Sequence, residues 1–253
     1  MKFRYFGISD VGRRYEHNED YFLLPVGKEM LFIVCDGVGG ANSGEVASKT
    51  TARFLAEDLP KTGEKQIKES ILKANQKLME MASRSESLSG MATTLVLAYF
   101  SNDTAQIFSV GDSRCYLYRG NELEQLTEDQ SEVWELYKMR AISKEQLRTH
   151  PRNNIITMAM GTDNDLEVNS YTHQVKEGDT FLMCSDGLTD MLPEELIAEK
   201  LNKSVNLEET ANELVRLANE AGGKDNITLI LIKAEKTKKI LGLFGVKEAD
   251  FVG

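Results

Sequence analysis

Cysteine, histidine, proline and tryptophan are all scarce in this chain of 253 residues. It has three cysteines, three histidines, four prolines and one tryptophan. So few histidines argue against a histidine-rich metal site and against a Ser-His-Asp triad. The cysteines form no CxxC pair, which argues against a zinc site. Each lies in an apolar stretch, which predicts buried free thiols in a reducing cytoplasm; they are Cys35, Cys115 and Cys184.

Long apolar runs and positive net charge are also absent. No apolar run approaches the roughly 20 residues that a membrane-spanning helix needs. The first residues, MKFRYFGISDVGRR, resemble neither a secretory signal nor a transit peptide. The formal net charge is −10, which disfavours nucleic-acid binding because phosphate backbones attract clustered Lys and Arg. These absences predict a cytoplasmic globular protein without a membrane span, large enough for a sizeable core.

Short apolar runs, rich in β-branched and aromatic residues, predict buried strands. They occupy residues 30–35, 93–100, 105–110, 115–119, 179–184 and 226–232. Several of them are joined by connections too short for parallel crossovers, so antiparallel pairing is expected. The pattern therefore favours α+β layers over a doubly wound parallel sheet.

Helical patterns are grouped between these strands. Three helices are predicted: one capped by Asn42 or Ser43 and running to about Leu59, one within 64–84, and one opened by a capping box of Asn206 and Glu209 and ended by Gly222 and Gly223. Residues 128–153 are polar and interrupt the strands, which indicates a mobile excursion over the main body. The C-terminal stretch after the last strand either docks its LGLF patch or forms a loose tail.

Aspartates stand at the ends of four apolar strands. Asp36 follows LFIVC, Asp112 follows IFSVG, Asp186 follows FLMCS and Asp225 opens ITLILI, while the pair Glu19-Asp20 precedes YFLL. A single Asp-Gly after a strand is most often a turn. Five such ends in one chain can instead converge on one rim, where carboxylates repel unless they are protonated or neutralised by cations.

Oxygen ligands without His or Cys favour Mg²⁺ or Mn²⁺ over zinc. Two such ions about 3.5–4 Å apart can lower the pKa of a bridging water and clamp phosphoryl oxygens. Phosphate-monoester hydrolysis needs accelerations of up to ~10²¹, and metal ions with a positioned water can supply much of this without a covalent nucleophile. The acids thus favour a phosphate-ester hydrolase.

Seven motifs in order resemble those of the metal-dependent (PPM, type 2C) Ser/Thr protein phosphatases of bacterial type. They are RYEHNED (14–20), CDGVGGANSGEVAS (35–48), GMATTLVLAYF (90–100), SVGDSRCYLYRG (109–120), HPRNNIITMAMG (150–161), CSDGLTDML (184–192) and GGKDNITLILI (222–232). The resemblance implies an α+β fold, a four-layer α-β-β-α sandwich of two mainly antiparallel sheets flanked by helices. It also implies a catalytic domain over 1–234, a substrate-influencing flap at about 128–153, and a C-terminal tail over 235–253.

The resemblance further implies roles for individual residues. Asp36 would bridge two metal ions, with the Gly37 carbonyl on one of them. Asp186 and Asp225 would bind the first ion, and Glu19 the second through water. Asp20 would orient water. A third ion would use Asp112, Asp186 and Asp190.

Two positions depart from the family pattern. The arginine that usually contacts the substrate phosphate is replaced by Tyr15, which offers one neutral hydrogen bond where a guanidinium offers two charged ones. The hypothesis is that Arg14 compensates; the alternative is that Arg14 is a solvated residue. Val38 replaces a histidine that can act as a general acid in many eukaryotic members. His17 is a weak substitute, and metal-bound water can also supply the proton.

The predicted function is hydrolysis of phosphoserine and phosphothreonine in proteins by metal-activated water, opposing a Ser/Thr kinase and acting on its targets. The chain is expected to act as a monomer. Two alternatives stay open: a phosphatase-like regulatory or binding module weakened in catalysis, which Tyr15 alone supports, and a phosphatase of small phosphorylated metabolites.

Overall fold

Two five-stranded sheets, all of whose strand pairs are antiparallel, form the centre of the computed structural model, which describes residues 1–25, 29–39, 43–62, 66–162 and 165–236. The strands are β1 (Lys2–Asp10), β2 (Tyr21–Leu23), β3 (Met30–Cys35), β4 (Gly37–Val38), β5 (Ala92–Thr93), β6 (Leu95–Ser101), β7 (Thr104–Val110), β8 (Arg114–Arg119), β9 (Glu122–Gln125), β10 (Asn169–Gln174), β11 (Thr180–Cys184) and β12 (Ile227–Glu235). The first sheet has the order β1-β12-β11-β8-β9 and the second β10-β7-β6-β3-β2. Strands β4 and β5 form a separate short pair.

Helices cover the outer faces of both sheets. They are α1 (Ser43–Thr62), α2 (Ile67–Arg84), α3 (Glu132–Lys138), α4 (Lys144–Leu147), α5 (Asp186–Thr189), α6 (Glu194–Asn202) and α7 (Leu207–Glu220), with a 3₁₀ turn at Glu86–Leu88. Helices α1 and α2 pack on the second sheet, and α5, α6 and α7 pack on the first. Within the ranges described, none of the helices has the length and apolar character that a bilayer crossing requires.

Strand β3 shows why the apolar runs are continuous. Its Phe32 and Val34 face the core between the sheets, where they meet Phe181 of β11. Its Ile33 faces the other way, into the core beneath α1 and α2. Because both faces of the strand are buried, neither set of alternate positions can be polar. The predicted four-layer α-β-β-α sandwich is confirmed.

Several element boundaries differ from the sequence prediction. The run 93–100 is divided at Thr94 into β5 and β6, and the second helix begins at Ile67. Helix α7 is capped by Asn206 as predicted, but the Asn206 side chain accepts from the Glu208 amide at 2.9 Å. The capping-box partnership with Glu209 was therefore wrong. Asn42, the alternative cap of the first helix, lies outside the described residues, as does the tail from 237 onward.

The predicted excursion at 128–153 contains the two short helices α3 and α4. Arg114 of β8 pairs with Asp129 at its start, with 2.6 Å between Nη2 and Oδ2. At its far side, Lys144 pairs with Glu194 of α6 at 2.7 Å. The segment is thus tied to the first sheet and its helices at both ends, next to the strand ends that carry the acids.

Candidate metal centre

The acids predicted at strand ends meet in one cavity of about 530 Å³. Asp36 after β3 and Asp112 after β7 come from the second sheet. Asp186 after β11 and Asp225 before β12 come from the first sheet. Glu19 completes the acidic wall. Stacking the two sheets therefore brings the same rim of each to a common space, as the strand-end pattern predicted.

Hydrogen bonds with Thr93 and Thr94, at the junction of β5 and β6, fix the backbone of Asp36. The Asp36 amide donates to the Thr94 hydroxyl at 2.9 Å, and the Thr94 amide donates to the Asp36 carbonyl at 2.8 Å. The Thr93 hydroxyl also donates to that carbonyl at 2.8 Å. These hydrogen bonds attach the end of β3 to the junction of β5 and β6. The attachment positions the Asp36 side chain.

Gly37 lies where two other backbone segments approach closely. A Cβ built on Gly37 would lie 2.3 Å from the Gly44 carbonyl oxygen and 2.6 Å from the Glu19 carbonyl oxygen. The Gly37 amide donates to the Glu19 carbonyl at 3.2 Å. Only glycine allows this contact, which holds Glu19 and the start of α1 beside Asp36.

Asn226 ties the segment before Glu19 to the start of β12. Its side-chain oxygen accepts from the Glu19 amide at 2.8 Å, and its side-chain nitrogen donates to the carbonyls of Val11 and His17 at 2.9 and 3.1 Å. Asp225, the residue before Asn226, lines the cavity. Two adjacent residues therefore supply one wall carboxylate and fix the backbone of a second acid, Glu19.

Asp20 lies behind the cavity wall and not on it. It is buried, and the Ser185 hydroxyl donates to its Oδ2 at 2.7 Å. The same Ser185 oxygen accepts from the Thr228 amide at 3.0 Å. Burial raises the pKa of Asp20, and the hydrogen bond from Ser185 lowers it. A buried, fixed carboxylate at this depth fits the predicted orienting role better than direct contact with substrate.

The wall carboxylates destabilise each other's charged forms. Burial, together with the charge of Asp186, raises the pKa of Asp225 to about 6. Burial also raises the pKa of Asp36 well above its usual range, with additional repulsion from Asp20 and Asp186. Asp112 behaves likewise, with repulsion from Asp186. Such a cluster needs protons or cations to be stable.

The chemistry of these donors fits divalent cations. Asp186 Oδ1 is buried and accepts no hydrogen bond from the protein, although a buried acceptor is normally satisfied. Within the described residues, no group of three or more Asp, Glu, His or Cys side chains is arranged to hold a metal ion. The residues that would hold divalent cations are the wall carboxylates with the Gly37 carbonyl, since hard cations prefer oxygen ligands.

Asp190 faces a neighbouring cavity of about 320 Å³ beneath α4. Its Oδ2 accepts from the Asn153 side chain of the flap at 2.6 Å. Burial raises the pKa of Asp190 to about 6. Asp190 in turn raises the pKa of both Asp186 and Asp112, after the larger effect of burial on each. The three carboxylates predicted for a third ion are therefore neighbours, but Asp190 is held by the flap.

Tyr15 and Arg14 occupy different surroundings. Tyr15 lies on the cavity wall with 56% of its surface exposed. The charge of Asp225 is the largest influence that raises the pKa of Tyr15, while Arg14 lowers it. Arg14 itself is exposed and does not line this cavity. Tyr15 therefore lines the cavity itself, while Arg14 acts on it only through its charge. Val38 and His17 also lie on the wall.

A sequence profile described as "Protein phosphatase 2C" matches residues 12–224. The serine/threonine phosphatase stp of Listeria monocytogenes is 38% identical over 241 residues, which cover 91% of this chain and 96% of that protein. Protein phosphatase PhpP of Streptococcus pneumoniae is 34% identical over 235 residues, covering 89% and 95%. The chain belongs to the protein phosphatase 2C family. The predicted family and enzyme class are thereby confirmed.

Solved structures of the protein phosphatase 2C family have the same fold. Serine/threonine phosphatase Stp1 from Staphylococcus aureus superposes with a TM-score of 0.88 at 32% identity, over 93% of this chain and 96% of that one. The catalytic domain of PstP in complex with two manganese ions gives a TM-score of 0.82 at 30% identity, over 92% and 99%. The family is metal-dependent, in agreement with the chemistry of the wall carboxylates.

Sequence reasoning missed four supporting residues of this protein phosphatase 2C member. Three of them bind a carboxylate through their side chains, and Asn226 binds the backbone amide of Glu19; they are Asn153, Ser185, Arg114 and Asn226. All four lie inside the quoted motifs or directly beside a motif acid, which was the only signal available. Their partners are 15 to 207 positions away in the chain, so no local pattern identifies them.

Proposed function

We propose that this protein phosphatase 2C member hydrolyses phosphoserine and phosphothreonine in proteins, using two Mn²⁺ or Mg²⁺ ions held by Asp36, Asp186 and Asp225. The observation that carries the proposal is the shared cavity of these carboxylates, in which the buried Asp186 Oδ1 has no protein partner. When bound, such ions supply a water of lowered pKa and neutralise charge on the phosphoryl oxygens.

Each acid of the metal centre would have a separate role. Asp36, whose backbone is fixed by Thr93 and Thr94, would hold both ions, with the Gly37 carbonyl on one of them. Asp186 and Asp225 would hold the first ion. Glu19, fixed through its amide by Asn226, would hold the second through water. The buried Asp20, held by Ser185 behind the cavity wall, would orient water without touching the phosphate.

A third ion would lie among Asp112, Asp186 and Asp190. The mutual influence of these carboxylates supports their proximity. Asn153 would have to release Asp190 Oδ2 before that oxygen could bind an ion, because the amide nitrogen donates to it at 2.6 Å. The flap would therefore influence this site directly.

The proposed substrates are phosphorylated proteins, among them a Ser/Thr kinase and its targets. Relatives named serine/threonine phosphatase and protein phosphatase support this class. The three buried free cysteines suit a cytoplasmic location. We further propose that residues 1–234 form the catalytic unit, with 128–153 as its flap, and that it acts as a monomer.

Activity on p-nitrophenyl phosphate and on a phosphothreonine peptide tests the proposal. With Mn²⁺ both substrates should be hydrolysed, and excess chelator should abolish both activities. Asp36→Asn and Asp225→Asn should each lower kcat more than the roughly 10- to 100-fold that loss of an outer-shell partner costs. Full activity in chelator would refute the metal mechanism, and hydrolysis of the small ester without any phosphopeptide would favour a metabolite phosphatase.

Asp103→Asn is the matched control for the aspartate variants. Its side chain is 59% exposed in the turn between β6 and β7, where its carboxylate lies 3.7 Å from the N-terminal amine. This variant should keep wild-type activity and manganese dependence. A similar loss in Asp103→Asn and Asp225→Asn would show that the assay reports general charge and not the metal centre.

A further inference from the structure

A second groove begins beside the metal cavity and has a different charge. It has a volume of about 430 Å³ and is lined by His17, Glu45, Val46, Lys49, Thr50 and Arg53. His17 lines both this groove and the metal cavity. The two spaces are therefore adjacent, and a peptide bound with its phosphate among the wall carboxylates can continue into the groove.

The charged residues of the groove form one line along α1. Glu45, Lys49 and Arg53 are spaced four residues apart and so share a helix face. The Ser48 hydroxyl of α1 contacts the carbonyl oxygens of both Glu19 and Glu45, at 2.6 and 3.2 Å. The Glu45 end of the line therefore adjoins Glu19. Glu45 is thus the member of the line nearest to the metal centre, and Lys49 and Arg53 lie progressively farther from it.

Both cations are available to a ligand. Lys49 Nζ lies 4.0 Å from Glu45 Oε1, and both side chains are more than 40% exposed. Such a pair is weak. Arg53 is exposed and forms no ion pair with any residue in the described part of the chain. In a chain of net charge −10, two adjacent cations beside the site for an anionic substrate form a local attractive patch.

The spacing of the cations sets the spacing of a matching ligand. An α-helix rises 1.5 Å per residue, so Lys49 and Arg53 lie about 6 and about 12 Å beyond Glu45 along the axis. An extended peptide advances about 3.3 Å per residue. The two cations therefore correspond to about two and about four residues along a peptide that leaves the metal cavity past His17.

We propose that Lys49 and Arg53 form a docking groove that selects phosphoprotein substrates with Asp or Glu about two to five residues from the phosphorylated residue. This proposal rests on the proposed function and adds a preference for acidic sequence context. The groove side chains would contribute to substrate binding, so their loss should raise KM for peptides. A small ester occupies only the metal cavity, so its KM should not depend on them.

Charge reversal tests the groove. The variant K49E/R53E and the wild type are compared with Mn²⁺ on three substrates: p-nitrophenyl phosphate, a phosphothreonine peptide with Glu at positions two to five on both sides, and the same peptide with Gln there. For the acidic peptide, kcat/KM should fall on the order of 3- to 10-fold, mainly through KM, as expected for losing one or two exposed pairs. The other two substrates should change by less than about 2-fold.

The variant K73E/R84E is the matched control. Lys73 and Arg84 lie on α2, have side chains that are 42% and 76% exposed, and pair with acids four residues away, as Lys49 does. This control introduces the same charge change outside the groove and should leave the preference for the acidic peptide unchanged. Raising the salt concentration should reduce the preference of the wild type but not that of K49E/R53E.

The outcomes separate this inference from the proposed function. An equal ratio of acidic to neutral peptide in wild type and K49E/R53E would overturn the groove, as would a wild type that prefers the neutral peptide. If K49E/R53E loses all activities together, the neutral variant K49Q/R53Q decides by the same ratio. A wild type that is inactive on every substrate with Mn²⁺ would instead refute the proposed phosphatase function.

Discussion

Ser185 holds the buried Asp20 carboxylate by one hydroxyl group. Its Oγ donates to Asp20 at 2.7 Å and accepts from the Thr228 amide at 3.0 Å. Ser185→Ala leaves both buried groups without that partner, so we expect the free energy of unfolding to fall by about 1–3 kcal/mol. Urea denaturation in chelator measures this effect without interference from metal binding.

The control for Ser185 is Ser83→Ala on α2, whose exposed hydroxyl donates to the Glu80 carbonyl. It should change the free energy of unfolding by less than about 0.5 kcal/mol. An equally small change in Ser185→Ala would show that water replaces the hydroxyl and that Asp20 is not held by it.

Arg14 is the second residue whose role can be measured directly. Its charge acts on Tyr15, which lines the cavity where the phosphate must bind. If Arg14 takes over the phosphate contact, Arg14→Ala should raise KM for a phosphopeptide on the order of 10-fold, since a charge-assisted hydrogen bond is lost. Steady-state kinetics of Arg14→Ala beside Arg4→Ala, an exposed arginine of β1, provide the measurement. Unchanged KM and kcat in Arg14→Ala would leave Arg14 a solvated residue.

Single-residue roles were predictable only where a residue is adjacent to a strand end. Asp36 directly follows β3, so its placement on the rim follows from the strand itself. The contact between Glu19 and Asn226 spans 207 positions, and nothing in the local sequence of either residue requires it. The position of Asp190 is also set from afar, because it depends on how the flap returns over α5.

At the scale of elements, the flap is anchored by a buried ion pair at its first turn. Arg114 of β8 donates to Asp129 through Nε at 3.0 Å and Nη2 at 2.6 Å, and Gln125 donates to the same carboxylate at 2.8 Å. Only 3% of the Asp129 side chain is exposed. Asp129→Ala would leave a buried guanidinium unpaired, so we expect a loss of about 3–5 kcal/mol in the free energy of unfolding.

An exposed pair within the flap gives the comparison for Asp129. Glu135 and Lys138 pair at 2.6 Å on α3, and both are close to half exposed. Glu135→Ala should cost less than about 1 kcal/mol, measured by the same urea denaturation. Similar losses in Asp129→Ala and Glu135→Ala would mean that the flap does not depend on its buried anchor.

Strands of the sheet interior were predictable, whereas the edge strands β1, β9 and β10 were not. Strand β3 is apolar on both faces because it is covered by the other sheet on one side and by helices on the other. Strands β1 and β10 lie at sheet edges; β10 alternates between half-buried and exposed residues, and β1 has no fully buried residue. Their sequences predict strands only weakly, because these strands are stabilised mainly by backbone hydrogen bonds to β12 and β7.

At the scale of the whole molecule, the sandwich concentrates negative charge at one rim. Asp36 and Asp112 come from one sheet, and Asp186 and Asp225 from the other, so the packing that buries the core also forces these carboxylates together. Arg114 lowers the pKa of Asp112, Asp186 and Asp190, although burial and mutual repulsion raise them more. The metal-free fold therefore bears an electrostatic cost that cations can remove.

This cost predicts opposite effects of Asp36→Asn with and without metal. In chelator the wild type must either bury the Asp36 charge or take up a proton there, and the variant needs neither. It should therefore melt a few degrees above the wild type, at about 2–4 °C per kcal/mol for a chain of this size. Mn²⁺ at 100 times its Kd should stabilise the wild type by about 2.7 kcal/mol, and Asp36→Asn by less than half as much. Thermal unfolding of both proteins under both conditions gives four melting temperatures. If Asp36→Asn melts below the wild type in chelator and gains as much from Mn²⁺, then Asp36 neither strains the metal-free fold nor binds the ions.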